Sequence, residues 1–480
     1  MMRGLIWLRT DLRLHDNSAL FHGSNECRDG LLAVHFIPKA LHPQAHLNPR
    51  QYQLQATQIK YLHQALANIN IPLQIRIVDT MDDIPAQILN LMQTHQIDTL
   101  YFNERYDLPQ RTQDRTVVQV LETESLRSKH YADHVIAPPQ ELLTPKDKPF
   151  TSQSAFKKTW QGFLRHANLH SLGKIEKQTV LITAPTALPA LPFESEVINA
   201  PWALTEQHAL AILRQESHFA WDAMDPQTYT KHTHQLHALF AHLNNGLLSP
   251  RQFIRMLLQG DHVQNKAEVD KWFNILIARE FDMHIMYHFP HICGGHDFAP
   301  HTHALPWKRE DTLLHAWQSG HTGFPLIDAS MRCLNQTGYL SEDLLQASAL
   351  FFTKILFLDY RLGEEYFTKQ RLDHEFASNN SLWQYCASTG AESVIYSRIP
   401  QPARQSEVFD SQGDLIRKYC PELADIHATH IHDPHMHIPA VMKETGYPQP
   451  IVDYALMRKK TLYHFKALNK TYKNTVNIAQ

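Results

Sequence analysis

Residues 4–9 (GLIWLR), 31–38 (LLAVHFIP), 73–78 (LQIRIV) and 98–103 (DTLYFN) are short apolar runs rich in β-branched and aromatic side chains. Each has the length of a buried strand, and the stretches 52–69 and 84–95 between the later runs carry apolar residues at helical spacing. Strands alternating with helices predict a parallel sheet with helices on both faces. Ligands of such sheets settle beyond the carboxyl ends of the strands. The first strand runs into a charged loop at that edge, Arg9-Thr10-Asp11-Leu12-Arg13-Leu14-His15-Asp16-Asn17. No G-x-G-x-x-G follows it, so a dinucleotide fingerprint is missing.

The pattern changes after the first 132 residues. Residues 133–201 include the proline-rich stretches PPQELLTPKDKPF and TAPTALPALPF, as in an extended inter-domain linker, with one helix expected over 154–166. From 202 onward helical periods dominate, at 204–214, 236–243, 250–258, 269–287 and 344–358, and strand-like runs are nearly absent. The predicted organisation is an α/β Rossmann-like domain (1–132), a linker (133–201) and an all-helical domain (202–480) large enough to hold a cofactor between its helices.

Composition narrows the function classes. A formal net charge of −3 lacks the global basic signature of many nucleic-acid binders, although one basic face remains compatible with it. The five cysteines are scattered without a C-x-x-C pair, which argues against zinc-ribbon, iron–sulfur and disulfide frameworks and fits a reducing cytoplasm. MMRGLIWLRTDL turns charged too early for a signal-peptide core, and no apolar run reaches membrane-spanning length. The histidine-rich segment around His427, His430, His432, His435 and His437 reads as a flexible loop in preference to a divalent-metal site, and no metal is expected.

The densest chemistry lies in 371–390, RLDHEFASNNSLWQYCASTG, where two carboxylates, paired amides, Trp383 and Tyr385 stand close together. Upstream are AWQSGHTGFPLIDASMRCLNQTGYL and LDYRLGEEYF, downstream YSRIPQPARQSEVFDSQGDLIRKYCPEL; WLRTDLRLHDN opens the chain and IHDP lies near its end. Together these motifs resemble the DNA photolyase and cryptochrome family over essentially the whole chain.

The resemblance implies a reduced FAD folded into a U in the helical domain, passing an electron under blue light to a flipped-out pyrimidine dimer. It implies Asn379 beside flavin N5, and Asp373, Glu375, Trp272 and Arg279 as cofactor contacts. The family's phosphate motif falls on Thr233 to His237 with a short insertion, giving Thr233 and His237, or on 236–240 without one. The positions of the electron-carrying tryptophans read Trp383, Tyr360 and Trp307, and tyrosine is a poorer stepping stone unless its proton can leave. Arg398, Gln405 and Tyr385 stand at positions facing DNA, and Arg251, Lys354 and Arg404 offer phosphate contacts.

Several positions depart from the family pattern. The glutamate and tryptophan that grip the lesion read Ile275 and Ala278. An expected His-Asn-Arg-x-Arg reads Ser341 to Leu345, which places Glu342 and Asp343 toward phosphate and removes the arginine partner of Asp373 at Leu345. The antenna pocket's Asn-Glu reads Pro109 and Gln110, leaving folate and deazaflavin both open. Three readings follow: a monomeric photolyase acting on damaged duplex DNA, a cryptochrome-like photosensory flavoprotein without repair, or a descendant with an impaired or empty flavin pocket.

Overall fold

The computed structural model describes residues 2–39, 48–191, 200–217, 226–259 and 266–479, leaving aside the side chains of 226–233 and 473–479. The chain divides into two compact units. The first is Met1–Glu196, Trp202–Pro290 and Asp373–Glu375; the second is Val197–Pro201, His291–Leu372 and Phe376–Gln480.

In the first unit, β1 (Gly4–Leu8), β2 (Leu31–Pro38), β3 (Leu73–Val78), β4 (Thr99–Asn103) and β5 (Arg127–Tyr131) form one sheet in the order β3-β2-β1-β4-β5. Every pairing is parallel, as the alternation with helices predicted. β1, β2 and β4 are buried along their whole length, which is why they stand out as uninterrupted apolar runs. β5 (RSKHY) is a polar edge strand with no apolar run to announce it. One helix follows each of the first four strands: α1 (Ser18–Glu26), α2 (Pro49–Asn68), α3 (Ile84–Thr94) and α4 (Leu108–Thr123).

The charged loop after β1 folds inward. Asn17 caps α1 by accepting from the Leu20 amide at 3.1 Å, and Asn103 at the end of β4 donates to Asp11 at 2.7 Å. Arg13, 2% exposed, pairs with Asp133, which also accepts from Ser18 Oγ at 2.6 Å and Arg251 at 2.8 Å. Burial pushes the Asp133 carboxyl up, but Arg13 and Arg251 outweigh it and lower it to about 2. A depressed carboxyl stabilises the fold above its unfolded pKa and loses that contribution as pH falls through the folded value. The window therefore runs from about pH 4 to about pH 2 and is worth about 2 kcal/mol. Chemical denaturation across that range should show the loss in the native chain, and Asp133→Asn should flatten this part of the slope.

Residues 133–191 lie in the first unit and carry α5 (Gln153–Leu164) where a helix was expected. Beyond it the first unit contains α6 (Glu206–Ser217), α7 (Pro226–Asn244), α8 (Pro250–Leu258) and α9 (Lys266–His288). Gly246, at φ +68°, sits so close to the Thr10 backbone that a Cβ would lie 2.6 Å from its carbonyl oxygen.

The second unit is helical: α10 (Asp311–Ser319), α11 (Pro325–Thr337), α12 (Glu342–Leu350), α13 (Tyr360–Gln370), α14 (Phe376–Ala387), α15 (Pro402–Phe409), α16 (Asp414–Tyr419), and a C-terminal helix Tyr454–Ala479. The helix expected over 344–358 is interrupted. After α12 the chain widens into a π-helical turn, Phe351–Leu356, and Phe357 stops it at φ 56°. That turn buries Lys354 completely, with Nζ donating to Ser388 Oγ at 2.6 Å and lying 4.0 Å from the Phe465 ring. Lys354 is thus no phosphate contact; burial lowers its ammonium to about 7. Arg251 is likewise committed, its guanidinium 12% exposed and paired with Asp16 and Asp133.

Candidate functional site

The second unit centres on Trp383, which is fully buried on α14. Rings of Phe352, Phe367 and Trp317 surround it at centroid distances of 5.4, 5.0 and 6.0 Å. The fourth side is closed by α13, where a Cβ on Gly363 would stand 2.1 Å from the indole. One turn earlier on α13 lies Tyr360, also fully buried, and Trp307 meets it edge-on at 6.3 Å. Trp383 and Tyr360 thus belong to one buried apolar core of this unit, and Trp307 packs against it.

Asn379 lies on α14, one turn before Trp383. Its Nδ2 donates to the Glu364 carbonyl and to Thr368 Oγ1, each at 3.1 Å. A backbone carbonyl only accepts, so the amide orientation is fixed and Oδ1 points away, buried and without a partner. The neighbouring Asn380 donates to the Glu364 carboxylate at 2.8 Å and accepts from Gln384 at 3.0 Å. Burial pushes the Glu364 carboxyl up to about 7, against the Asn380 amide. Glu364, Thr368 and Gln384 were not singled out from sequence; their only signal is the i,i+4 spacing of Glu364 with Thr368 and of Asn380 with Gln384.

Asp373 and Glu375 are each 8% exposed and belong to the first unit. Backbone contacts hold their segment: Asn244 donates to the Asp373 carbonyl at 3.2 Å, and Gln51 to that of His374 at 3.1 Å. Asn244 in turn accepts from Arg279 Nε at 2.9 Å, and Arg279 donates to the His134 carbonyl and imidazole at 3.0 and 2.8 Å. Burial, reinforced by Arg105 and Arg279, pushes His134 well down, so its ring is neutral and accepts. Arg279 lies within electrostatic reach of Glu375, as does Arg105. Asp373 is not left alone by the loss of an arginine at Leu345; it keeps interactions of its own. Leu345 itself is 2% exposed and packs in the second unit's apolar core.

Trp272 is 1% exposed, with its indole nitrogen unpartnered and its ring in contact with His237 at 5.5 Å and Phe240 at 5.7 Å. The side chain of Thr233 lies outside the described residues. Each unit therefore presents an unsatisfied buried polar atom, Asn379 Oδ1 in one and Trp272 Nε1 in the other. Such atoms fit a polar aromatic cofactor better than an apolar core, where each would cost about 1–3 kcal/mol.

Of the residues that the sequence resemblance assigns to DNA, Arg398 and Arg404 are exposed, while Gln405 and Tyr385 are half-buried. Glu342 and Asp343 are exposed on the first turn of α12, where they favour the helix dipole. Among the described residues no cluster of metal ligands exists. His432 is bonded to Ser406 Oγ at 2.7 Å and His435 to the Pro448 carbonyl at 2.8 Å, so the histidine segment is in part built into the fold.

The first unit also has a cavity of about 390 Å³ lined by Phe102, Glu104, Arg105, Arg111, His130 and Tyr287, among others. The Arg111 guanidinium stacks on Tyr287 at 3.7 Å. Pro109 and Gln110 are absent from the lining; Gln110 is buried in the first turn of α4, where its backbone N–H donates to the capping Asp107 at 3.0 Å.

Among family profiles, one described as DNA photolyase matches residues 4–173, and one described as the FAD binding domain of DNA photolyase matches residues 272–467. The deoxyribodipyrimidine photo-lyase of Escherichia coli (strain K12) is 32% identical over 473 residues, 98% of this chain and 100% of that protein. The crystal structure of a bacterial class III photolyase from Agrobacterium tumefaciens superposes with a TM-score of 0.83 at 25% identity, covering 98% of each chain. An archaeal photolyase from Sulfolobus tokodaii, described with two FAD molecules, superposes with a TM-score of 0.75 at 22% identity, covering 97% of this chain and 100% of that one.

Proposed function

The chain belongs to the DNA photolyase family, and from that premise we propose that it is a light-dependent lyase that splits cyclobutane pyrimidine dimers in damaged duplex DNA. The carrying observation is the Asn379 carboxamide. Both of its N–H directions are spent on α13, leaving a buried acceptor with no donor among the described residues. An acceptor so placed suits a cofactor nitrogen that carries a proton, as flavin N5 does when reduced and does not when oxidised. Asn379 thereby favours the reduced cofactor.

Bound reduced FAD supplies the light-absorbing electron donor. Asp373, Glu375, Trp272, Arg279, His237, Thr233 and Asn379 are its proposed contacts. Trp383, Tyr360 and Trp307 would carry electrons. Arg398, Gln405 and Tyr385 would meet DNA, and the enzyme would act as a monomer in the cytoplasm.

The cavity beside β4 supports a second, light-gathering chromophore. Its cationic and aromatic walls, with Arg105, Arg111, Phe102 and Tyr287, suit a planar anion of folate or deazaflavin type.

Repair tests the main reading. Purified protein, reduced and illuminated with dimer-containing duplex, should remove dimers, while the dark sample should not. No repair, with a control enzyme active in the same tube, would overturn it. A photosensory role without repair is favoured by Ile275, Ala278 and the exposed acids of α12; it predicts bound flavin and no preference for damaged duplex in a gel shift. An empty pocket predicts protein that stays colourless after incubation with FAD.

A further inference from the structure

Tyr360 donates its phenol proton to Asp297 Oδ1 at 2.9 Å. Asp297 is 3% exposed and lies on the segment leading to the turn Pro300–Ala304, far from Tyr360 in sequence. Its other oxygen accepts from Thr302 Oγ1 at 2.9 Å, and Oδ1 also receives Arg361 at 2.6 Å. Arg361 is shared with Asp359 at 3.0 Å, and its guanidinium lies 4.5 Å over the Tyr360 ring. Neither tryptophan of the route has an equivalent: the indole nitrogens of Trp383 and Trp307 are buried and unpartnered. Of the three carriers, tyrosine alone can give up its proton where it stands.

This difference decides where an electron vacancy comes to rest. A vacancy on Trp383 or Trp307 has to remain a charged radical cation in an apolar site, since no base takes the proton. At Tyr360 the Arg361 charge over the ring disfavours a cationic radical, while Asp297 makes the neutral one accessible. When Asp297 takes the proton, Arg361 keeps Asp359 as a counter-charge, so the transfer strands no cation.

We propose that Tyr360 and Asp297 form a proton-coupled redox pair that traps the electron vacancy as a neutral tyrosyl radical, making Tyr360 the end of the route in place of a relay toward Trp307. The step balances as one electron from the Tyr360 phenol to the Trp383 radical cation and one proton from its oxygen to the Asp297 carboxylate. Trp383 is restored, and Tyr360–O• and Asp297–COOH are left. The oxidant that first removes an electron from Trp383 is a photoexcited oxidised flavin, so the inference rests on the flavin reading. Return of the electron and proton, or a reductant of thiol type, resets the pair.

The test is radical identity. The flavin-loaded full chain should be illuminated and frozen, and its paramagnetic spectrum compared between protein with ordinary and with ring-deuterated tyrosine. The native chain should give a radical whose hyperfine structure collapses on tyrosine labelling and whose formation slows about 2-fold or more in heavy water. Asp297→Asn keeps the shape and the hydrogen bond but cannot take the proton; it should cut the tyrosyl yield about 10-fold while flavin content stays unchanged. Tyr360→Phe removes only a hydroxyl and should abolish the labelled signal, so the conclusion does not hang on the folding of the aspartate variant. A signal carried by tryptophan alone in the native chain, or a tyrosyl yield that survives Asp297→Asn, overturns the proposal while leaving the flavin reading intact. Failure to take up flavin overturns both.

Discussion

Replacing Trp383 by phenylalanine should slow light-driven reduction of the bound flavin about 100-fold or more, without releasing the flavin. The indole is fully buried and packed between Phe352, Phe367 and Trp317, with Gly363 leaving no space on its remaining side. Phenylalanine fits the same slot, and trimming the ring there costs about 1 kcal/mol, well within what such a core tolerates. A benzene ring, however, is far harder to oxidise than indole, and a barrier raised by only about 3 kcal/mol already slows a step about 100-fold. Flavin absorbance under illumination with an external reductant measures the rate. Tyr360→Phe should lose less, about 10-fold, because Trp383 can still be oxidised and only the trap is gone. Undiminished photoreduction in Trp383→Phe would mean that electrons enter by another route.

Buried apolar side chains are what made the fold readable. β1, β2 and β4 contain nothing that must meet water, so their composition alone marks them as interior strands. β5 escaped because Arg127, Ser128, Lys129 and His130 are tolerable only at an edge. The break between α12 and α13 escaped for the opposite reason: residues 349–358 are apolar almost throughout, and no periodicity distinguishes a straight helix from one opened by a π-turn.

The candidate site divides in the same way. Asn379, Trp383 and the carboxylates share one short stretch, so their company was visible locally. Asp297 sits in a segment (GGHDF) that resembles a surface turn, and only the tertiary fold brings it to Tyr360. Lys354 misled because a lysine is normally read as a surface charge, whereas its stem is enclosed and its ammonium has found Ser388 and Phe465. Charge in a sequence thus reported partners within the protein at least as often as partners outside it: Arg13, Arg251, Arg279 and Lys354 are all inward-facing.

The largest loss of stability is expected from Glu280→Ala, at about 4 kcal/mol. Glu280 is 1% exposed and accepts three hydrogen bonds: from the Ile136 amide at 2.6 Å, the Ala137 amide at 3.1 Å and Trp160 Nε1 at 2.6 Å. It therefore ties α9 to the segment at Ile136 and Ala137 and to α5. Alanine leaves those donors buried with no acceptor, each at a cost of about 1–3 kcal/mol before relaxation. Glutamine keeps one carbonyl oxygen but turns an NH2 toward donors, and should cost about half as much. Denaturant unfolding of the three proteins gives the order native, glutamine, alanine; an alanine variant within about 1 kcal/mol of native would mean water replaces the carboxylate without cost. The consequence extends to the cofactor residues. Trp272, Leu276 and Arg279 follow one another along α9 at helical spacing, and Glu280 fixes the helix's rotation from the next position. Loosening it should let Trp272 and Arg279 turn out of place, so flavin affinity should fall in Glu280→Ala even at temperatures where the chain remains folded.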